Sequence, residues 1–406
     1  MKKICYLMLG LLFMACSDGS EKWSPGDDDP DDPSGGGGEE TVIYHQRAKE
    51  MFDLVQRYYK HGNSGLYKES FPSQSGDPEY SFLWPYDGLV SSAALLTQLG
   101  YDVGYPDMVN GFEKYWRNGA NGNNIGGYGS STDGTTGGGT RFYDDNSIVG
   151  ISLVEAYEVT GNADYLQRAG RIVKFLQSGE DNVLGGALWW NEDQKNMTGE
   201  PNSNKPSCSN GYATQFLLKY YAVCGASEKA EVLAFAKRLY EWLRTNLLDP
   251  SDKCYWNDIN AKGEINKTKW TYNTGVMVQN GICLYRITGE QRYLTEAVAS
   301  AQGGYDFFVR TRNGVTLAYP DNDPWFNTKL LRAYIDLQPL HRGADAWIKA
   351  YQKFINNGYD NARTDEGFFY EDWTGASAKR YYSLLMQDAV IESYGALALY
   401  AGEEVN

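Results

Sequence analysis

Residues 142–157 read Phe-Tyr-Asp-Asp-Asn-Ser-Ile-Val-Gly-Ile-Ser-Leu-Val-Glu-Ala-Tyr: a loop with two adjacent aspartates, then a run with apolar or small residues on nearly every side. A helix that is apolar on all faces is normally buried inside a larger structure. Gly161 follows the run, and glycine commonly ends a helix. The stretch therefore predicts an interior helix whose start presents Asp144 and Asp145.

The same arrangement occurs six times, each time as an aromatic or polar loop that delivers an Asp or Asn into an apolar helix. The six loops are Trp84-Pro-Tyr-Asp87-Gly, Phe142-Tyr-Asp-Asp145-Asn, Ser207-Cys-Ser-Asn210-Gly, Trp270-Thr-Tyr-Asn273-Thr, Pro324-Trp-Phe-Asn327-Thr and Leu385-Met-Gln-Asp388-Ala. Their spacings of 58, 65, 63, 54 and 61 residues exceed the roughly 34–47 residues usual in helical solenoids. Because Asp and Asn favour N-caps, we expect these residues to start the helices.

Amphipathic helices are predicted between the buried ones, over residues 41–60, 107–118, 164–177, 228–246, 291–309 and 342–356. Twelve helices that alternate between buried and half-exposed predict an all-α fold, an (α/α)6 barrel of six helical hairpins; a solenoid is the competing architecture. In the barrel, the starts of the inner helices meet at one face. The residues expected to line a cleft there are Trp84, Asp87, Asp144, Asp145, Asn210, Tyr272, Asn273, Trp325 and Asp388.

The first 40 residues have a different composition. Residues 1–15 combine a basic start with a short apolar run and predict a signal peptide. The run ends in Leu12-Phe-Met-Ala-Cys16, which resembles a bacterial lipobox and implies cleavage before Cys16 and lipidation of that cysteine; an ordinary secretory signal is the alternative. Residues 16–40 predict an acidic, glycine-rich flexible tether. We therefore expect a lipoprotein of the bacterial outer membrane, on the surface or periplasmic side, with one domain over residues 41–406.

Charge and cysteine usage exclude several function classes. The formal net charge is −15, of which the tether's nine acidic residues and one basic residue supply −8, and no basic stripe suits a nucleic-acid partner. The cysteines of the domain (Cys208, Cys224, Cys254 and Cys283) lack metal-ligand spacing, and the three histidines are far apart. The sequence predicts no metal site, no cofactor and a monomer.

The adjacent aspartates point to sugar hydrolysis. A glycosidase needs one ionised and one protonated carboxyl, about 5–5.5 Å apart for retention and about 6.5–9.5 Å apart for inversion. Adjacent residues at a bent helix start reach the shorter separation more easily, and mutual repulsion raises the pKa of one of them. The residues alone leave the roles open, and an ordinary N-cap followed by a first-turn aspartate is the structural alternative.

Three segments resemble glycoside hydrolase family 76: Tyr143 to Gly161, Trp270-Thr-Tyr-Asn-Thr-Gly275, and Leu284-Tyr-Arg-Ile-Thr-Gly-Glu290. The resemblance implies the (α/α)6 fold and a retaining endo-α-1,6-mannanase that acts on α-mannan. It places the nucleophile at Asp144 and the general acid and base at Asp145. The segment Lys205-Pro-Ser-Cys-Ser-Asn210 differs from the sequence that is usual in this loop of the family. This difference affects the expected substrate contacts and not the expected reaction.

Aromatic rings stack on the C–H faces of sugars, and amides and carboxylates bind their hydroxyls. The predicted substrate-binding residues are Trp84, Asp87, Tyr143, Asn146, Asn210, Tyr272, Asn273 and Trp325; core packing and helix capping are the alternatives for each. Two other functions stay open: a non-catalytic surface glycan-binding lipoprotein, and an (α/α)6 glycosidase or lyase with another linkage. The aspartate pair argues against a pure binder, and three scattered histidines argue against a lyase acting on uronates.

Overall fold

The structure is a computed structural model that describes residues 42–120, 122–321 and 323–405, and twelve α-helices dominate these ranges. In chain order they are α1 (Tyr44–Tyr58), α2 (Leu83–Gln98), α3 (Tyr105–Gly111), α4 (Tyr143–Thr160), α5 (Ala163–Gln177), α6 (Ser207–Val223), α7 (Ala226–Asn246), α8 (Thr271–Thr288), α9 (Gln291–Phe308), α10 (Pro324–Leu337), α11 (Ala344–Asn361) and α12 (Leu384–Ala401). The predicted signal peptide, Cys16 and the tether lie outside the described residues.

The even-numbered helices form a closed inner ring. Each packs against the next, and α12 packs against α2 and closes the circle. Glycines allow the close approach: a Cβ on Gly150 of α4 would lie 2.6 Å from the Phe216 ring of α6, and one on Gly211 of α6 would lie 2.6 Å from Val276 of α8. The inner helices are buried on nearly all faces, which confirms the predicted (α/α)6 barrel.

The odd-numbered helices form the outer ring, and each buries one face against the inner helices. On α5 the buried residues include Tyr165, Ala169, Ile172 and Leu176, which recur every three or four positions. The second outer helix, α3, is shorter than predicted, because it is followed at once by a 3-10 turn. None of the described helices is long and apolar enough to cross a bilayer.

Two predictions about helix ends have different outcomes. Gly161 and Gly289 end α4 and α8 with φ of 70° and 72°, the left-handed conformation that glycine adopts without strain. The prediction that the loop Asp and Asn residues are N-caps is wrong. The N-caps are Phe82, Phe142, Pro206, Trp270, Asp323 and Ser383, and the predicted residues lie within the first two helical turns. There the side chain can reach the loops instead of its own helix end.

Short antiparallel strands connect the loops that precede the inner helices. The strands are β1 (Ser70–Phe71), β2 (Trp116–Arg117), β3 (Gly127–Tyr128), β4 (Ser131–Thr132), β5 (Gly137–Gly138), β6 (Asn204–Pro206), β7 (Trp256–Asn260), β8 (Ile265–Lys269), β9 (Arg310–Arg312), β10 (Val315–Ala318) and β11 (Tyr382–Ser383). A three-stranded sheet has the order β6-β7-β8. Strand β1 pairs with β11 and joins the first and last hairpins at the same face of the barrel.

Charged residues occupy the interior of the barrel. Glu392 is fully buried and pairs with Lys329 at 2.7 Å and with Arg332 at 2.9 Å, and Glu155 pairs with Lys219 at 3.1 Å. Burial of ionised groups requires such pairing, because an isolated charge loses its hydration. These pairs lie around a small polar cavity of about 220 Å³ inside the inner ring.

Candidate active site

A cavity of about 640 Å³ opens at the face where the inner helices begin. Its wall contains Glu69, Phe82, Trp84, Pro85, Ser130, Phe142, Asp144, Asp145, Ile148, Trp190, Asn204, Pro206, Cys208, Tyr212, Asn257, Tyr272, Trp325, Phe326, Ser383, Leu385 and Met386. The wall is aromatic and carries three carboxylates but neither lysine nor arginine. Such a cavity suits a neutral ligand with apolar faces and repels anionic ones.

Asp144 is the second residue of α4, and its carboxylate is held by several donors. Its Oδ2 accepts hydrogen bonds from Trp190 Nε1 and from the Cys208 thiol, both at 3.1 Å, and its Oδ1 accepts the backbone N–H of Asp145 at 3.0 Å. Burial raises the pKa of Asp144, while these donors act against the rise because they favour the anion. The positive end of the helix dipole adds to the same preference.

Asp145 is the next residue, yet its surroundings differ. Its carboxyl accepts no hydrogen bond from any residue in the described ranges. Burial, then the charge of Asp144, then that of Asp87 raise the pKa of Asp145 well above its usual range. Both aspartates are half-buried, and each has one side open to the cavity. The site therefore favours an ionised Asp144 beside a protonated Asp145.

Aromatic rings form one side of the cavity. Trp84 stacks on Phe326 with centroids 5.9 Å apart, Phe326 stacks on Tyr272 at 4.0 Å, and Trp84 meets Trp325 edge to face at 5.2 Å. Trp84, Tyr272 and Trp325 thus line the cavity as predicted. Phe142 and Trp190, which also line the cavity, pack on each other with centroids 5.0 Å apart.

Asp87 lies deeper than predicted and does not line this cavity. It is 4% exposed, accepts a hydrogen bond from Ser152 Oγ at 2.8 Å, and borders the smaller polar cavity. Burial raises the pKa of Asp87 to about 7. Ile148, Tyr212 and Trp325 line both cavities and so separate them. Asp388 is also fully buried away from the cavity wall, and burial raises its pKa well above the usual range.

Four further predicted substrate-binding residues are turned into the protein. The Tyr143 ring is buried and stacks on Phe175 at 4.9 Å. Asn146 is fully buried and binds the backbone N–H of Tyr128 at 2.7 Å and its carbonyl at 2.9 Å.

Asn210 binds the N–H and carbonyl of Leu188 in the same way, at 2.7 and 3.0 Å. Asn273 lies one layer behind the wall and donates to Asn257 Oδ1 at 3.3 Å. These side chains fasten the loops and do not face the cavity.

Several wall residues were missed: Glu69, Ser130, Trp190 and Asn257. All four lie in the loops and short strands ahead of the inner helices. Each lies two positions after a buried residue (Tyr67, Tyr128, Leu188 and Tyr255), and residues two apart in an extended segment share a face. Strand periodicity would therefore have placed them in the core, and only the tertiary structure shows that they reach the cavity.

Cys208 and Glu69 were also unforeseen. Burial, together with the nearby charge of Asp144, raises the pKa of the Cys208 thiol well above its usual range, so the thiol stays protonated and acts as a donor. Glu69 Oε2 accepts the backbone N–H of Phe82 at 2.9 Å. Among the described residues, no group of three or more His, Cys, Asp or Glu side chains could hold a metal ion.

Comparison with known proteins identifies the fold and the family. The model of glycosyl hydrolase family 76 matches residues 43–366. A family 76 α-mannanase structure from Bacteroides thetaiotaomicron is 24% identical, with 88% of this chain and 96% of that chain covered and a TM-score of 0.77. A family 76 mannosidase from B. thetaiotaomicron VPI-5482 is 23% identical, with 89% and 100% covered and a TM-score of 0.76.

A third structure is an inactive variant of an α-1,6-mannanase from Salegentibacter sp. HEL1_6, in which two consecutive aspartates are replaced by asparagine. It was solved with α-1,6-mannotriose, is 23% identical, covers 88% of this chain and 99% of its own, and gives a TM-score of 0.70. At these identities the likeness establishes the fold. A search among curated protein sequences found no match.

Proposed function

The chain belongs to glycosyl hydrolase family 76, and we propose that it is a retaining endo-α-1,6-mannanase that cuts the backbone of α-mannan. In this proposal Asp144 is the nucleophile and Asp145 the general acid and base. The main support is a difference in hydrogen bonding between the two adjacent carboxyls: Asp144 accepts hydrogen bonds from Trp190, Cys208 and the backbone N–H of Asp145, whereas Asp145 accepts none from the described residues.

The asymmetry matches what the two chemical steps require. In the first step, an oxygen of Asp144 bonds to the anomeric carbon as the glycosidic C–O bond breaks, and the leaving oxygen takes the electron pair and the proton of Asp145. In the second step, Asp145 removes a proton from water, the water oxygen bonds to the same carbon, and Asp144 leaves as a carboxylate. Two inversions give net retention.

The wall of the cavity supports a neutral hexose polymer as substrate. Aromatic rings at Trp84, Tyr272 and Phe326 offer faces for sugar C–H groups, and the lining carries no cation that would attract uronates. Two neighbouring structures, which carry the names α-mannanase and mannosidase, support mannan as the substrate. The linkage is supported by the third, an α-1,6-mannanase variant bound to α-1,6-mannotriose, which is called inactive and has two consecutive aspartates replaced.

Digestion of unbranched α-1,6-mannan tests the reaction. The unsubstituted protein should release a ladder of short oligosaccharides, and Asp144→Asn and Asp145→Asn should each lose activity by about 10³-fold or more. Asp53→Asn changes an exposed aspartate of α1 that pairs with Lys49; this variant is the matched control and should be fully active. Retention of the polymer without cleavage would instead support a glycan binder.

The two roles can be separated with an activated substrate. An aryl α-1,6-mannobioside whose leaving group needs no proton should form the glycosyl intermediate on Asp145→Ala but not on Asp144→Ala. A burst of released aryl alcohol with Asp145→Ala alone is the expected result. A burst with Asp144→Ala alone would reverse the assignment, and NMR of the first product would show retention or inversion directly.

We also propose that the chain is a lipoprotein anchored at the outer membrane through Cys16, with residues 16–40 as a tether. The support is the lipobox-like segment before Cys16 and the acidic, glycine-rich composition after it. Metabolic labelling with a fatty acid in a bacterial host should mark the native chain and leave Cys16→Ser unlabelled. Equal labelling of both chains, or of neither, would exclude this anchor.

A further inference from the structure

We propose that Cys208 is a positioning residue for Asp144: its thiol holds the carboxylate in the orientation and ionised form that attack on the sugar requires. The inference rests on the proposed function, in which Asp144 is the nucleophile. It adds a residue of α6 to a reaction otherwise assigned to α4 alone.

The fold brings the two side chains together. Asp144 and Cys208 are each the second residue of an inner helix, and α4 and α6 are neighbours in the ring, so the two helix starts lie side by side. The Cys208 Sγ lies 3.1 Å from Asp144 Oδ2, which is short for a hydrogen bond from sulfur. Trp190 Nε1 donates to the same oxygen, also at 3.1 Å.

The pattern of donors divides the work between the two oxygens of Asp144. Oδ2 receives the thiol and the indole N–H, whereas Oδ1 receives the backbone N–H of Asp145. Two donors from two elements fix the plane of the carboxylate. An ordered carboxylate loses less entropy on reaching the attacking geometry.

Cys208 itself acts as a donor and not as a nucleophile. It is 9% exposed, and its Sγ neighbours the Tyr272 hydroxyl of α8 as well as Asp144. A tyrosine O–H that points to sulfur leaves the S–H proton directed at Asp144. Serine at this position would keep an O–H donor, whereas alanine would remove the donor and leave the rest of the wall in place.

The titratable groups that face Asp144 come from several elements. They are Asp145 on α4, Cys208 and Tyr212 on α6, Tyr272 on α8, and Glu69 in the loop after α1. Only the Cys208 thiol among them hydrogen-bonds the carboxylate side chain, and a donor to an anion lowers its pKa. Loss of this donor should therefore make Asp144 harder to ionise.

The first experiment measures kcat/KM on α-1,6-mannan from acid to alkaline pH for the unsubstituted protein, Cys208→Ala, Cys208→Ser and Cys224→Ala. Loss of one hydrogen bond to a charged group predicts a drop of about tenfold for Cys208→Ala, with its acid limb about half to one pH unit higher. Cys208→Ser should recover most of the loss and the native limb. Cys224→Ala removes a buried thiol far from the cavity and should change neither.

A proportional loss at all pH values in both Cys208 variants, with no shift of the acid limb, would reduce Cys208 to a packing residue and overturn the proposal. Unchanged kinetics of Cys208→Ala would overturn it as well. Circular dichroism and thermal unfolding of each variant confirm that the comparison is made between folded proteins.

A second readout does not need mannan. The infrared S–H stretching band of Cys208, taken as the difference between the unsubstituted protein and Cys208→Ser, should shift to higher frequency in Asp144→Asn, because an amide oxygen is a weaker acceptor than a carboxylate. An unshifted band overturns the proposed contact. If mannan is not cleaved but the band shifts, the proposed substrate fails and the hydrogen bond stands.

Discussion

Asn146→Ala should destabilise the fold strongly and should not act primarily on substrate affinity. The sequence predicted that Asn146 binds substrate, but the structure buries it completely behind the cavity. Its amide oxygen accepts the N–H of Tyr128 at 2.7 Å, and its amide nitrogen donates to the carbonyls of Tyr128 at 2.9 Å and Phe142 at 2.8 Å. Alanine would leave the N–H and carbonyl of Tyr128 without these partners and would remove one of two donors from the Phe142 carbonyl, which keeps the backbone N–H of Asn146 at 3.2 Å.

The size of the effect follows from these three contacts. Each buried hydrogen bond contributes about 1 kcal/mol net, and a buried backbone group left without a partner costs about 1–3 kcal/mol. Asn146→Ala should therefore lower the free energy of unfolding by about 3–5 kcal/mol, a large fraction of the usual total. Asn210→Ala removes the same set of contacts around Leu188 and Pro206 and should cost a similar amount.

Urea unfolding followed by circular dichroism measures this loss, with Asn361→Ala on the exposed end of α11 as the control that should stay within about 0.5 kcal/mol. Mannan cleavage below the unfolding transition provides the comparison with function. If Asn146→Ala kept full stability and raised KM for mannan, Asn146 would be a substrate ligand, and the interpretation of these amides as loop fasteners would be refuted.

Three further predictions concern charges and aromatic rings. Asp87→Asn should stabilise the fold by about 2–4 kcal/mol at pH 8 in urea unfolding and change little at pH 3. Burial raises the pKa of Asp87 to about 7 in the folded protein, so the folded state loses stability as the pH rises from the pKa of the unfolded chain toward that value. Equal stability of Asp87→Asn and the unsubstituted protein at pH 8 would contradict this prediction. Lys329→Met removes one of the two cations paired with Glu392 and should lower the free energy of unfolding by about 3–5 kcal/mol. The control, Lys49→Met on an exposed pair, should lower it by less than about 1 kcal/mol. Equal small losses in both variants would show that the buried pair is dispensable. Trp84→Ala should raise KM for mannan about tenfold, because a stacked ring contributes about 0.5–1.5 kcal/mol beyond its buried area; a loss confined to kcat would place Trp84 outside substrate binding.

The ionisation of Asp144 and Asp145 predicts the direction in which the pH profile of activity is shifted. Catalysis needs Asp144 ionised and Asp145 protonated, and burial raises the pKa of both, Asp145 more strongly. Both limbs of the kcat/KM profile should therefore lie at higher pH than for free aspartic acid. An alkaline limb at the pH of an ordinary carboxylic acid would show that Asp145 is not the acid.

The architecture followed from local sequence patterns. Burial on all faces of one helix and one face of the next is encoded by residue spacing, and Gly161 and Gly289 mark ends through their own backbone freedom. The bounds of α5, α7 and α9 accordingly lie within two residues of the prediction. The length of outer helix α3 was overestimated, because the predicted range 107–118 includes strand β2, and its pairing with β3 is a contact between separate segments that no local pattern reveals.

The sequence by itself determined the alternation of buried and half-exposed helices and the placement of Asp144 and Asp145 at a helix start, since each depends on residues close in the chain. Closure of the ring depends on the packing of α12 against α2, at opposite ends of the domain. The tertiary structure alone decided which loop side chains face the cavity and which fasten it. Asn146 and Asn210 bond to segments 18 and 22 residues earlier, and Cys208 meets Asp144 across 64 residues. A side chain turns toward whichever partner satisfies its polar atoms, and that partner is known only once the helices are packed.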